Sequence, residues 1–511
     1  MTAERGGYWT YRYPRRYPFH QFLHQRRDTM KRRDFLRLTA AAATGLSLSP
    51  ARSFAEGSGS GPEMTALCDY MSAAKTRALP PEVVEQAKHH ILDTLASMIS
   101  GSELPPGQAA QRYIRANAAQ GTSTIAGTSL TASPVEAALA NGVMAHADET
   151  DDSHSPSRSH PGSSTVPAAL ALGEHLGIDG AHFLRAVTLG YDVGTRVVMA
   201  MGGADFSYES VLSTHSISGT FCASAAAASV AGFDARRMRW VLDYAAQQSS
   251  GFIVWRRDVD HIEKGFVFAG MPARNGVTSA LLVRSDWNGV DDVFSGPDNY
   301  FLAYAPKAAT GKLVEKLGER YEIAGTDIKK WTVGSPIQGP LDAVYAIRSK
   351  HAFEAGEVKR VTVRLAPSVA EVVDNRDIPD ICLQHMVAVM LLDKTASFHA
   401  AHDKPRMQDA AVLKERAKVN LVRDEELAKL LPVRVAVVEI ELTDGSRLSE
   451  RVTAVRGTPR NPMTRDEVID KARDLIAPVV GGEKAERLIK SVYEIEAVTD
   501  IRSLRPLLQR V

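Results

Sequence analysis

Cysteine is scarce in this chain. Only Cys68, Cys222 and Cys382 occur in 511 residues, far apart and never in a Cys-x-x-Cys spacing. That argues against a disulfide scaffold or a zinc ribbon, and disfavours an iron–sulfur cluster held by neighbouring thiolates. An excess of charge of one sign is also lacking. With 61 Lys and Arg against 60 Asp and Glu, the formal net charge is +1, so no global field draws in nucleic acid or an acidic membrane. Nor is there a run of the roughly 20 apolar residues that a membrane span requires. Internal repeats are not evident. With 44% hydrophobic and 24% charged residues, the chain has an ordinary globular composition. Its length suits two or three domains.

The N-terminal region reads as an export signal. Residues 30–37, MKRRDFLR, carry the pair Arg32-Arg33, followed by the mildly apolar LTAAAATGLSLS and then SFA before Glu56. Basic, apolar and small-residue segments in that order make a secretory signal. The twin arginines and the weak alanine-rich run resemble a twin-arginine (Tat) signal, which implies a periplasmic location. Met30 is the expected start, and residues 1–55 are extension plus signal. Residues 56–63, EGSGSGPE, form a flexible linker.

From 64 to 324 apolar residues recur at three- and four-residue intervals, the pattern of a helical domain. Pro80-Pro81 heads one helix, where a missing N–H costs nothing. The texture then changes. VKRVTVRLAP alternates like a half-buried strand, and VRVAVVEIELTDGSRLSERVTAV reads as two strands joined at Asp444-Gly445, a good hairpin turn. The segments QHMVAVMLLDKTASFHAA and MQDAAVLKERAKV between them read as helices. The expected architecture is mainly α: a large all-helical domain, an α/β lid over 325–458, and a helical return over 459–511.

Four stretches carry chemistry. In HADETDDSHSPSRSHPG, His146 to Gly162, three histidines and four carboxylates follow the helix VEAALANGVMAHA. Acids at a helix C-terminus oppose its dipole, at about 0.3–1 kcal/mol each when exposed, and crowded carboxylates raise one another's pKa. A functional need for clustered acids accounts for this better than a solvated loop. His146, Asp148, Asp152, His154 and His160 offer metal-ligand atoms, but no spacing fixes their geometry, and no metal is expected. In STHSISGTFCASAAAA, His215 stands just before a helix whose N-terminus favours anions and lowers a nearby histidine pKa. In HIEKGFVFAGMPARNG, Lys264 and Arg274 flank an apolar glycine-containing turn suited to substrate carboxylates. In KKWTVGSPIQGPLDAVY, proline and glycine mark a loop at the domain junction, a usual place for a ligand cleft.

Taken together and in this order, these motifs resemble the MmgE/PrpD family over about residues 64–505. The most specific piece is H-x-x-D-x-D-D-[ST]-H…H-P-G, here His146, Glu149, Asp151, Asp152, Ser153, His154 and His160-Pro161-Gly162. The family's helix-leading histidine falls on His215 and its lysine on Lys264. VDNRDIP followed by AVMLLD matches a stretch of the smaller domain. Glu149 stands where the family usually has Asp, and Gln338 where many members have His. The family includes 2-methylcitrate dehydratases, cis-aconitate decarboxylases and an iminodisuccinate epimerase. The resemblance implies a helical domain with an α/β lid, a homodimer, and chemistry without metal or organic cofactor on a small carboxylate substrate. It implies catalytic roles for Glu149, Asp152, Ser153, His160, His215 and Lys264, and substrate contacts from His154, Arg274 and Gln338. The activity expected first is a lyase dehydrating a 2-methylcitrate-like hydroxy acid. Decarboxylation of cis-aconitate, epimerisation, and a non-catalytic exported carboxylate binder are the alternatives.

Overall fold

The alanine-rich run from Thr214 to Val230 explains how the helical body packs. The computed structural model describes residues 59–431 and 433–510. The expected export signal and residues 56–58 of the linker lie outside the described residues. The body contains α1 (Pro62–Ala73), α2 (Pro81–Gly101), α3 (Pro134–Ala145), α4 (Gly162–Leu176), α5 (Gly180–Met201), α6 (Thr214–Val230), α7 (Ala235–Gln248) and α8 (Met271–Arg284). Every residue of α6 from Ser216 to Val230 is buried, so this helix has no polar face and is enclosed by the others. Small residues on its neighbours let backbones close in. A Cβ on Gly194 of α5 would stand 2.3 Å from Cys222 Sγ and from the Ser218 carbonyl oxygen, and one on Gly276 of α8 would stand 2.5 Å from the Ala223 carbonyl carbon. The three cysteines are buried, unpaired thiols. Burial pushes Cys68 and Cys222 up to about 12, which leaves them unreactive packing groups.

A second core runs from Trp331 to Ile440. It joins α9 (Ser335–Lys350) and α10 (Leu383–Asp393) to a four-stranded sheet of β1 (Val358–Leu365), β2 (Val419–Arg423), β3 (Ala436–Leu442) and β4 (Arg447–Val452), in the order β2-β1-β3-β4. In β1, Val361, Val363 and Leu365 are buried. Val361 pairs with Val419 in parallel and with Ile440 in antiparallel register. The expected hairpin is present: Ile440 faces Leu448 across β3 and β4, and Gly445 takes a φ of +90° in the turn. The edge strand β2 was not expected. Its five residues follow a helix without any break signal, and only pairing with β1 extends them.

The chain then returns to the body. α11 (Phe398–His402) belongs to the lid, and α12 (Arg465–Val480) begins at Thr464, which shares reciprocal capping bonds with Glu467, a standard way of satisfying first-turn N–H groups. From α12, Lys471 Nζ reaches Asp93 Oδ1 of α2 at 2.6 Å and the Thr150 carbonyl at 3.0 Å. The molecule is mainly helical with a small α/β part, the fold class expected. Among the described residues no helix is long and apolar enough to cross a membrane.

Candidate active site

Helix α3 ends at Ala145, and the four acids that follow it are buried rather than solvated. Each acid has its own partners. Asp148 accepts from the Thr150 N–H at 2.9 Å and hydroxyl at 2.6 Å, and meets His402 Nε2 at 2.8 Å. Glu149 pairs with Lys264 Nζ, lies 3.5 Å from His261 Nε2, and has Lys329 Nζ donating to its carbonyl at 2.8 Å. Asp151 lies between His146 Nδ1 at 2.9 Å, His160 Nδ1 at 3.2 Å and Lys329 Nζ at 3.6 Å. Asp152 accepts from the Tyr191 hydroxyl at 2.5 Å and the Gly162 N–H at 3.1 Å, with His90 Nδ1 at 2.9 Å. Five helices, carrying His90, Gly162, Tyr191, Lys264 and His402, thus fix one loop, and cations answer acids that the helix end disfavours.

Burial would raise the carboxyls of Glu149 and Asp151. Lys264, Lys329 and His261 around the first, and His146, His160 and Lys329 around the second, override it and hold both well below the usual range. Burial acts the other way on the imidazoles. It lowers His146, lowers His215 well below its ordinary value with His160, His146 and the nearby cations adding to it, and with Lys264 takes His261 to about 3. These three rings are therefore neutral.

Hydrogen bonding fixes the tautomers. His160 Nδ1 lies 2.6 Å from the Asp152 carbonyl, which can only accept, so Nδ1 carries the proton and Nε2 the lone pair. Asp151, ionised, imposes the same tautomer on His146. His146 Nε2, His215 Nδ1 and His261 Nε2 are buried with no hydrogen-bond partner. Buried polar atoms left unsatisfied in this way are unusual, and three in one cluster mark a place that a ligand completes. Phe268 backs the cluster. Its ring stacks on His215 at 3.8 Å and on His146 at 4.5 Å, with Trp255 edge-on at 4.6 Å. Lys264 Nζ lies 5.2 Å from the Phe268 ring centre. Residues 262–284 are helical throughout rather than a turn, and a π-helical stretch over Phe266–Gly270 carries Phe268. Such bulges concentrate at functional sites. The side chains of His261, Lys264, His160 and Glu149 keep 9–14% of their surface exposed, whereas Asp151 and His146 are fully enclosed behind them.

Of the residues singled out in the sequence, Glu149, His160, His215 and Lys264 come together here. His215 lies in the first turn of α6, not before it. The others go elsewhere. Asp152 is a buried anchor with its oxygens taken by Tyr191, His90 and Gly162. His154 is fully buried, 2.8 Å from Ser157 Oγ and 3.4 Å from Glu322. Arg274 bonds Asn275 at 3.2 Å and lies over Phe266. Gln338 sits within α9, not in a loop, and closes the strand of chain before it, bonding the Trp331 N–H and the Trp331 and Val333 carbonyls. Ser153 pairs its backbone with Asp327 and lines a cleft of about 290 Å³ with Ser155, Lys329 and Arg434. Sequence reasoning missed Lys329, His261 and the role of His146 and Asp151. The first of these lies 180 residues from Glu149 and has no local signal. His146, Asp151 and His160 bring one ligand atom each within 4.8 Å of one another. One side of that triangle is the His146–Asp151 hydrogen bond, His160 Nδ1 is given to the Asp152 carbonyl, and two ammonium groups already supply the positive charge beside it.

Two family profiles match the chain: the MmgE/PrpD N-terminal domain over residues 65–311 and the MmgE/PrpD C-terminal domain over residues 331–496. The chain belongs to the MmgE/PrpD family. It is 25% identical to a cis-aconitate decarboxylase-like protein of Aspergillus oryzae, over 86% of this chain and 96% of the relative. It is 24% identical to the cis-aconitate decarboxylase of Aspergillus terreus, over 86% and 95%, and 24% identical to that of Homo sapiens, over 85% and 92%.

Proposed function

We propose that this protein is a lyase acting on a small polycarboxylate, and that it decarboxylates a cis-aconitate-type acid. The observation that carries the lyase reading is the His–Asp–His arrangement: Asp151 faces the Nδ1 atoms of both His146 and His160, leaving two Nε2 atoms to handle protons beside Lys264 and Lys329. Decarboxylation of an unsaturated tricarboxylate breaks a C–CO₂ bond, shifts the electron pair through the allyl system toward a remaining carboxylate, and forms a new C–H bond. The substrate's own conjugated carboxylate takes up the electrons. Cations preorganised against that developing charge are worth about 10²–10³ in rate each. His160, once it has picked up a proton at Nε2, delivers it to carbon, with Asp151 steadying the imidazolium. The relatives named as cis-aconitate decarboxylases support a lyase and make decarboxylation the first reaction to test.

Dehydration is the second reading, favoured by the Glu149–Lys264 pair. In that reaction His160 Nε2 removes a proton next to a carboxylate, and the pair assists departure of hydroxide. Purified protein is given cis-aconitate, citrate and 2-methylcitrate, with CO₂ release and alkene absorbance followed together. CO₂ from cis-aconitate supports decarboxylation. Alkene formation without CO₂ moves the assignment to dehydration. Turnover of none of the three sinks both. Export by the twin-arginine signal and a homodimer complete the proposal, tested by cell fractionation and by the mass of the purified protein in solution.

A further inference from the structure

In DVDHIEK, residues 258–264, two aspartates shape a turn around a histidine. Asp258 accepts from the Asp260 N–H at 3.1 Å and the Lys264 N–H at 2.8 Å, and Asp260 accepts from the Ile262 N–H at 3.1 Å. His261 takes a φ of +67° there, a left-handed conformation uncommon in a non-glycine residue. Its carbonyl accepts from the Gly265 N–H at 2.9 Å. The turn aims two side chains at one atom. Lys264 Nζ bonds Glu149 Oε1, and His261 Nε2 stands 3.5 Å from the same oxygen, too far for a good hydrogen bond. Nε2 is buried and has no partner. Burial and Lys264 keep the ring neutral, so it carries one N–H. The ionised oxygen facing Nε2 repels a lone pair and attracts a proton, which places the proton on Nε2. His261 is thus a donor at the atom where His160 is an acceptor.

A buried donor left unsatisfied is costly, yet a turn built of several hydrogen bonds holds this one in place. It gains a use when Glu149 loses its cation. A substrate carboxylate drawn to the Lys264 ammonium takes that cation from Glu149, and a buried carboxylate without a partner tends to pick up a proton. A movement of Oε1 by about 0.5 Å toward His261 would reach ordinary hydrogen-bond length and replace the lost contact. We infer that His261 is the reserve partner of Glu149: when a substrate carboxylate engages Lys264, Glu149 turns to the His261 Nε2–H and stays ionised. His261 is then a positioning residue, acting on the substrate through Glu149. This rests on the polycarboxylate reading above, with Lys264 holding one carboxylate. Lys329 Nζ lies 3.9 Å from the other oxygen of Glu149, Oε2, and does not compete for the place of His261. The remaining charged or titratable groups around the pair are His146, Asp148 and Asp258 of the body and Asp380 and Arg434 of the lid. Burial raises Asp380 to about 7, so the test compares variants that all retain it.

Calorimetric titration of the full chain with propane-1,2,3-tricarboxylate, in buffers of different ionisation enthalpy from pH 6.5 to pH 8, counts the protons taken up on binding. His261→Leu is expected to take up about one proton more than the wild type, so its affinity falls about tenfold further per pH unit. His261→Gln keeps an N–H donor and is expected to match the wild type. Leucine and glutamine meet the same backbone strain at position 261, so their difference isolates the donor. His261→Asn, at ease in the left-handed backbone but too short to reach Oε1, is a second loss variant and should behave like leucine. Glu149→Gln added to either loss variant should abolish the extra uptake, which assigns the proton to Glu149. Loss variants with wild-type uptake, a glutamine variant that takes up the extra proton, or extra uptake that survives Glu149→Gln overturns the reserve-partner role and leaves the polycarboxylate reading standing. A wild type that does not bind the acid overturns both.

Discussion

His402 should stabilise the protein in a pH-dependent way. Its Nδ1 lies 2.7 Å from the Phe398 carbonyl, which only accepts, and its Nε2 lies 2.8 Å from Asp148. Nδ1 therefore donates, and Nε2 faces the Asp148 carboxylate as an ion pair, which favours the imidazolium. Burial alone would lower it, but Asp148, Asp380 and the Phe398 carbonyl raise it from 6.5 to about 9. At about 1.4 kcal/mol per unit, that shift corresponds to roughly 3 kcal/mol. Removing one partner of a buried ion pair costs a similar amount, about 3–5 kcal/mol. Because the folded value lies above the unfolded one, the contribution is complete below about pH 6.5 and disappears as pH rises through 9. Asp148 behaves oppositely: burial would raise it, His402 and Thr150 hold it below its usual value, and its share is lost only in acid. Thermal melts of wild type and His402→Leu from pH 6 to pH 10 measure the effect. The variant should melt several degrees lower at pH 6, with the gap closing by pH 10. A gap of the same size at both ends would refute the ion pair and leave only lost packing. Asp148 adjoins Glu149, so kcat should fall with the same pH dependence.

Three further outcomes follow from the same contacts. His160→Gln should lower kcat by about 10²–10⁴, the usual worth of a proton-transfer group, with the melting temperature nearly unchanged; steady-state kinetics on whichever acid is turned over decide it. Lys471→Met leaves Asp93 buried without its cation and the Thr150 carbonyl without its donor, so denaturant titration should show a loss of about 3–5 kcal/mol. Gly194→Ala drives a Cβ into Cys222 Sγ and the Ser218 carbonyl, and overpacking of that kind costs about 1–3 kcal/mol; adding Cys222→Ala should restore part of the melting temperature.

The acidic loop could be read from the sequence because it breaks a local rule. Four carboxylates at a helix C-terminus are unfavourable unless cations answer them, and the Lys264 cation and the His215 imidazole follow in recognisable surroundings. The same residue types misled where their environment differs. Asp152 and Asp151 are adjacent and chemically alike, yet the first is consumed by Tyr191, His90 and the Gly162 N–H while the second faces two imidazoles. Gln338 and Arg274 sit in suggestive stretches, but their side chains are spent on the chain segments next to them. His154 lies in the same loop as His160 and turns toward Ser157 and Glu322.

Local order therefore belongs to the sequence: the helical periodicity of the body, the alternation of β1, the Asp444-Gly445 hairpin, the small residues that let α5, α6 and α8 meet, and the identity of the acidic loop. Those features are carried by residue types and spacings that are local in the chain. Tertiary structure alone decided which atoms face one another. Lys329 reaches Glu149 across 180 residues, Lys471 reaches Thr150 across 321, and His402 brings the lid onto Asp148. Protonation followed from those contacts, because burial and neighbouring charge set whether an imidazole is neutral, like His215, or charged, like His402. No spacing in the sequence records either quantity.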